Sequence, residues 1–468
     1  MTAAAVAATR VGVGALALLM GVAVARGDGL LVLGAVLACA GVFGAVRLAE
    51  SPSAALVALT FVIAALPVLR LVVGGVPLYA VDAVALLGLV ALARRPVPLT
   101  HFGWLVLAYL VSWIPAWVHQ MASLHLVEEP TYGLLRNALA VSVFFVAYAC
   151  ATQPGFFERW SLALAAGASL TATFALLQAA HSEPAEKVLR TVAPDFTSTA
   201  YRTYPDRAFA FFAAPTILAG FFAVVLLLLL PLVGERQASF RGLTWIALVM
   251  APLGALATYS RQWVPAVGIG LIVVSAVRLR ATGRILIVSA LGVLVAWALL
   301  GGGALDRSYL EERFHRLGPT DINVQTRVAR QEAFLALARE HPADFAVGKG
   351  FSGQDIVTRG LVPSETAQAL REGLSDNVFF LEVFNHGIAA GMLYLGLMAA
   401  ALTRILRAAR SGGPHARELA GIGAALATAL ALHLLDNYFS EVVFMKMLLW
   451  TIVGVGLGLV DRQRRELA

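Results

Sequence analysis

Lysine is almost missing from this chain: Lys187, Lys349 and Lys446 interrupt a positive complement that is otherwise arginine. An arginine bias of this kind partly reflects codon composition, so the net charge of +7 is poor ground for nucleic-acid binding. Cysteine is scarce as well. Cys39 and Cys150 both fall within apolar runs, which excludes a disulfide framework or a cysteine metal motif and leaves two small core residues. Charge of either sign makes up only 13% of the chain, about half the share of a soluble domain. No internal repeat or low-complexity linker is visible, and the paired broken helices of a repeat-built transporter have only weak candidates.

What the chain has in abundance is apolar surface. A hydrophobic fraction of 59% and a mean hydropathy of +0.80 come in blocks long enough to cross a hydrocarbon core. The pattern predicts an all-α polytopic membrane protein with about 12 to 14 transmembrane helices and one large, partly helical extracytoplasmic loop. Spans are expected near 11–25, 30–48, 54–73, 78–93, 102–118, 134–152, 161–180, 209–233, 242–259, 263–278, 284–301, 377–403, 419–438 and 442–460. Three regions follow: N-terminal helices over 1–301, the polar loop over 302–376, and C-terminal helices with a tail over 377–468. The first run, with Arg10 before it and Ala-Val-Ala at 23–25, imitates a cleaved signal peptide but reads as a span. Removing it would invert the charge pattern of the loops.

That pattern sets an orientation. Arg94 and Arg95, then Arg236 and Arg241, then Arg278, Arg280 and Arg284, then Arg404, Arg407, Arg410 and Arg417, and finally Arg462, Arg464 and Arg465 fall in alternate loops. By the positive-inside rule these face the cytoplasm, both termini lie inside, and 302–376 faces outward together with 181–207 and the junction 260–263.

Three outward elements carry arginines. Thr258-Tyr259-Ser260-Arg261-Gln262-Trp263 joins two apolar runs. Its arginine is either a snorkelling turn residue or an anion clamp, since guanidinium offers a planar fork of donors for phosphate oxygens. Tyr201-Arg202-Thr203-Tyr204-Pro205-Asp206-Arg207 leads into an aromatic-rich run with Phe209, Phe211, Phe212 and Pro215. Here Arg202, Tyr204 and Arg207 either secure a helix end or bind phosphate beside helix amides. Within the long loop, Val328, Phe334, Leu337 and Ala338 recur at helical spacing, with Arg327 and Arg330 three apart on a neighbouring face. Gly348-Lys349-Gly350-Phe351 lacks Walker spacing and reads as a tight turn. Asp376-Asn377 opens the next apolar run, where Asp376 is a helix cap, a general base, or both. Glu382 and His386 lie four apart on the helix that follows and read as a packed polar pair rather than a metal site. His433, Asp436, Asn437 and Glu441 extend the polar residues near the next outer boundary.

In this order, Arg207 with Pro215, Ser260-Arg261, Arg327 with Pro342 and Gly348-Lys349-Gly350-Phe351, and Asp376-Asn377 with Glu382, Gly387-Ile388 and Gly391, the chain resembles the O-antigen ligase and O-antigen polymerase superfamily of bacterial membrane glycan transferases. The likeness covers roughly 200–395, and the first 180 residues match only as generic membrane helices. The resemblance implies transfer of a glycan from a polyprenyl diphosphate carrier to an acceptor hydroxyl, on a glycan or lipid-glycan, at the outer face of the bacterial cytoplasmic membrane. It implies inversion at the sugar and no metal or other cofactor. Carried over, Arg261 and Arg327 would be catalytic, holding the diphosphate, and Asp376 would stand at the base position. Arg207, Arg202, Arg330, Asn377 and Tyr204 would assist binding. Ligases of this family usually have His-Asn where this chain has Asp376-Asn377, so Asp376 is the base, only orients the acceptor, or marks a polymerase-like or inactive member. Two rivals stand beside this reading: a transporter or flippase of an anionic lipid-linked sugar, expected to place charge inside its spans, and a scaffold whose loop binds an envelope protein. Asp82 is the clearest deeply placed acid for the first.

Overall fold

A computed structural model describes residues 48–73, 76–95, 99–124, 128–192, 203, 207–233, 238–277, 322–340, 342–350, 377–435 and 442–468. The described chain is mostly helical. It begins with α1 (Pro52–Ala65), whose start is set by Ser51 accepting from the Ala54 amide at 3.3 Å and by a proline in the first turn. A short antiparallel ribbon follows, β1 (Arg70–Val73) against β2 (Val76–Tyr79), with Val73 opposite Val76. This departs from the all-α expectation and from a span over 54–73. Branched residues flank Gly74-Gly75, the residue type a two-residue hairpin connection asks for.

The helices continue as α2 (Ala80–Ala93), α3 (His101–Val111), α4 (Ile114–Leu124), α5 (Glu128–Ala151), α6 (Phe156–Ala179), α7 (Glu183–Val192), α8 (Pro215–Leu229) with a 3-10 turn to Leu232, α9 (Ala238–Ala257) and α10 (Trp263–Val277). After the described part of the long polar segment, α11 (Ile322–Glu340) and α12 (Pro342–Val347), come α13 (Val378–His386), α14 (Ile388–Arg410), α15 (Ala416–Leu435) and α16 (Val443–Leu467). Among the described residues seven helical stretches are long and apolar enough to cross a membrane, and α1, α2, α10 and the greater part of α9 are shorter apolar helices. The spans expected at 11–25 and 284–301, and all but the last residue of 30–48, lie outside the described residues.

The centre of the bundle is α16, whose whole apolar window is buried. That explains why it is apolar on every side rather than along one stripe. It meets α5 backbone to backbone: a Cβ on Gly454 would stand 2.6 Å from the Phe144 carbonyl oxygen, and one on Gly458 2.6 Å from that of Tyr148. Glycines four apart let two membrane helices approach this closely, and larger residues would separate them. On the other side α15 packs against α8 and α10, with Thr428 donating to the Ala266 carbonyl at 3.3 Å.

One end of the bundle gathers the basic clusters. Arg462 reaches the Gln153 carbonyl beyond α5, Gln463 bonds the Ala408 carbonyl and Ser411 beyond α14, and His415 lies 3.2 Å from Glu466. The opposite end carries the turns before α8 and α10 and the break between α13 and α14.

Candidate functional site

The arginine-bearing turns 207–212 and 258–261 form one unit. Arg207 is buried, and its Nε donates to the Thr258 carbonyl at 2.8 Å while the next amide, Ala208, donates to Ala257 at 3.1 Å. Gln178, near the end of α6, closes the other side: its Oε1 accepts from the amides of Phe209 and Ala210 at 3.0 and 2.9 Å. Thr258 folds its own turn, donating to Ala255 and accepting from the Ser260 amide. Ala210 and Tyr259 have φ of 45° and 50°, a left-handed conformation that costs a non-glycine residue about 1–2 kcal/mol. Strain of this sort persists where the surroundings over-determine it, and such places cluster at functional sites. Arg261 stands half-buried in the turn that opens α10.

A second unit is built on a broken helix. The apolar stretch expected as a single span over 377–403 is α13 and α14, separated at Gly387 with φ 88°. A break inside a membrane helix exposes carbonyls that need donors. Here the donors are the amides of Lys349 and Gly350, which reach the carbonyls of Phe384 and Asn385 at 2.7 and 2.8 Å. The glycines permit the approach: a Cβ on Gly387 would sit 2.6 Å from the Ala346 carbonyl, and one on Gly350 2.0 Å from Gln120. The two glycine motifs noted in the sequence therefore meet face to face. Phe334 of α11, Phe345 of α12, and Phe380 and Phe384 of α13 complete the junction, with ring centroids 5.1–5.9 Å apart. Arg327 and Arg330 lie one turn apart on α11. Asn377 caps α13, accepting from the Phe379 amide at 2.9 Å. Asp376, Arg202 and Tyr204 lie outside the described residues, as do Asp436, Asn437 and Glu441.

Between the two units lies a buried polar cluster. Glu382 accepts from the Tyr109 hydroxyl at 2.6 Å, stands 3.6 Å from His386 Nε2 and 3.8 Å from Lys446 Nζ. Lys446 donates to Asn137 at 2.7 Å, and Trp113 stacks on His386 at 4.6 Å. Tyr394 and His433 bond beside it at 2.6 Å. The Glu382–His386 spacing was visible along the chain, whereas Tyr109, Asn137 and Lys446 come from three other helices. The signal that would have found Lys446 is that one of only three lysines stands in an apolar run. The structure thus places more buried charge than the sequence suggested. Asp82, by contrast, lies in the first turn of α2 and pairs with Arg136 at 2.8 Å.

A series of contacts ties these units together at one end of the bundle. Phe212, beyond the Arg207 turn, packs edge-on to Phe444 at 5.4 Å, two residues before Lys446. Lys446 meets Glu382 on α13, and α13 holds α11 through Phe334. Among the described residues no group of three or more His, Cys, Asp or Glu side chains is placed to hold a metal ion. No known family model matches the chain, and no curated protein sequence matches it.

Proposed function

We propose that the protein transfers a glycan from a polyprenyl diphosphate carrier to an acceptor hydroxyl at the outer face of a bacterial cytoplasmic membrane, as an O-antigen ligase or polymerase does. The observation that carries this reading is the gathering of the Arg207–Arg261 unit and the arginine-bearing helix α11 at the end of the bundle opposite the basic clusters. That arrangement suits an orientation with the basic end in the cytoplasm and both termini inside. In the reaction the acceptor oxygen attacks the anomeric carbon from the face opposite the carrier. The carbon–oxygen bond to the diphosphate breaks, its electron pair leaves with polyprenyl diphosphate, and the hydroxyl proton passes to Asp376. The guanidinium groups of Arg261 and Arg327 stabilise the charge gathering on the leaving diphosphate, an effect worth several kcal/mol where such donors are preorganised in a water-poor site. Arg207 holds the Arg261 turn through Thr258 and so acts as a positioning residue.

The test is release of polyprenyl diphosphate from a lipid-linked oligosaccharide by the purified protein in lipid, with envelope glycan as acceptor. Acceptor-dependent release that disappears in Arg261→Ala is expected. No release from the wild type across several carriers and acceptors overturns the reading.

The buried Glu382–Lys446 pair next to the break at Gly387 favours a second reading, transport of an anionic lipid-linked sugar, because intramembrane charge beside a discontinuous helix is how many transporters build a site. Transport would move the labelled lipid across a sealed vesicle with its diphosphate bond intact.

A further inference from the structure

At the basic end of the bundle lies a cavity of about 550 Å³, within the usual size range of ligand sites. Arg95, Arg464 and Arg465 line it together with Tyr148, Asp461 and Leu92. We propose that this cavity binds a phosphate-bearing anion, its phosphate held between Arg95 and the Arg464–Arg465 pair.

The charges favour it. Three arginines face one carboxylate, and that carboxylate is engaged by the Tyr148 hydroxyl at 2.6 Å and lies 3.8 Å from Arg464. The Arg95 side chain makes no bond among the described residues. Arg465 uses one donor on the Asp461 backbone carbonyl at 3.3 Å and keeps the rest of its fork. The start of α1 also borders the cavity through Pro52, with no acidic residue in its first turn, so its helix N-terminus adds positive potential. Arginines are also favoured at the C-termini of α2 and α16, which meet here, but that preference alone asks for no cavity. Pro52 and Leu92 give the wall an apolar portion beside the arginines. Basic pockets between membrane helices near the surface suit anionic lipid headgroups. A free phosphate offers the same oxygens without the chains.

The test uses the full chain in mild detergent, titrated with short-chain phosphatidylglycerol, with phosphatidylcholine, and with inorganic phosphate, occupancy being read by native mass spectrometry. Phosphatidylglycerol is expected to bind more tightly than phosphatidylcholine. At about 1 kcal/mol per arginine and about 1.4 kcal/mol per decade, Arg95→Gln should weaken it roughly five-fold and Arg95→Gln with Arg465→Gln roughly thirty-fold. Arg410→Gln, an exposed arginine outside the cavity, should change nothing. Displacement of phosphatidylglycerol by inorganic phosphate would identify a site for phosphate itself, and failure to displace it a lipid-headgroup site. Equal binding of the two lipids by the wild type overturns the proposal. So does undiminished binding in Arg95→Gln, a variant that breaks no side-chain bond among the described residues and is expected to fold.

Discussion

At the scale of single residues, the side chain on which the candidate site most depends is uncharged. Gln178 satisfies two buried backbone amides at once, and an amide left without an acceptor away from water costs about 1–3 kcal/mol. Gln178→Leu should therefore destabilise the fold by on the order of 2–4 kcal/mol, measured by reversible unfolding in mixed micelles. It should also lower activity, because the turn that carries Arg207 loosens. Arg207→Lys retains charge but loses the planar fork whose Nε reaches Thr258. If Arg207 positions rather than binds, that variant should lower kcat with little change in KM for the lipid donor; a purely KM effect would assign it to substrate. Glu382 and Lys446 are best read as a pair. Removing one partner of a buried ion pair costs about 3–5 kcal/mol, and removing both often costs less. A double-mutant cycle on Glu382→Ala and Lys446→Ala should show the double variant more stable than either single one.

At the scale of elements, the break between α13 and α14 is the feature most sensitive to one substitution. Gly387 has φ 88° and no room for a side chain beside the Ala346 and Val347 carbonyls, so Gly387→Ala must displace α12 and the turn that follows it. The amides of Lys349 and Gly350 would leave the end of α13, and trypsin cleavage after Lys349 should accelerate at least ten-fold in the folded protein. Unchanged cleavage would mean that this docking contributes little. The sequence marked both glycine motifs, but along the chain they are separate. Their meeting depends on α13 ending where it does, which local propensity leaves open for Val378 to Ile388 because the stretch is apolar enough to continue as one helix.

At the scale of the whole molecule, the basic end ties α15 and α16 together through His415, and Gln463 adds α14. The hydrogen bond with Glu418 raises this imidazole above its ordinary value, burial and Arg462 oppose the rise, and Glu466 at 3.2 Å supports it. A raised folded value means that the stabilisation is full below the unfolded value of about 6.5 and is lost as pH rises through the folded one. The thermal midpoint of the wild type should fall across that interval, and His415→Gln should flatten the slope. An identical slope in both would remove His415 as its source.

By itself the sequence determined the class of the molecule and the places of the seven described helical stretches that are long and apolar enough to cross a membrane, because apolar length against a hydrocarbon thickness is a local quantity that no partner can alter. It also marked Arg207, Arg261, Arg327 and the glycine motifs as exceptional, since charge and glycine at the edges of apolar runs stand out without any fold. Tertiary structure decided what those residues meet. Arg207 closes on Thr258, Asn377 caps α13, and Glu382 finds Tyr109 and Lys446 from helices hundreds of residues away along the chain or close to its end. Such pairings are set by which helix faces touch. In a chain whose helices are apolar nearly all round, periodicity does not single out a face, and only packing selects it.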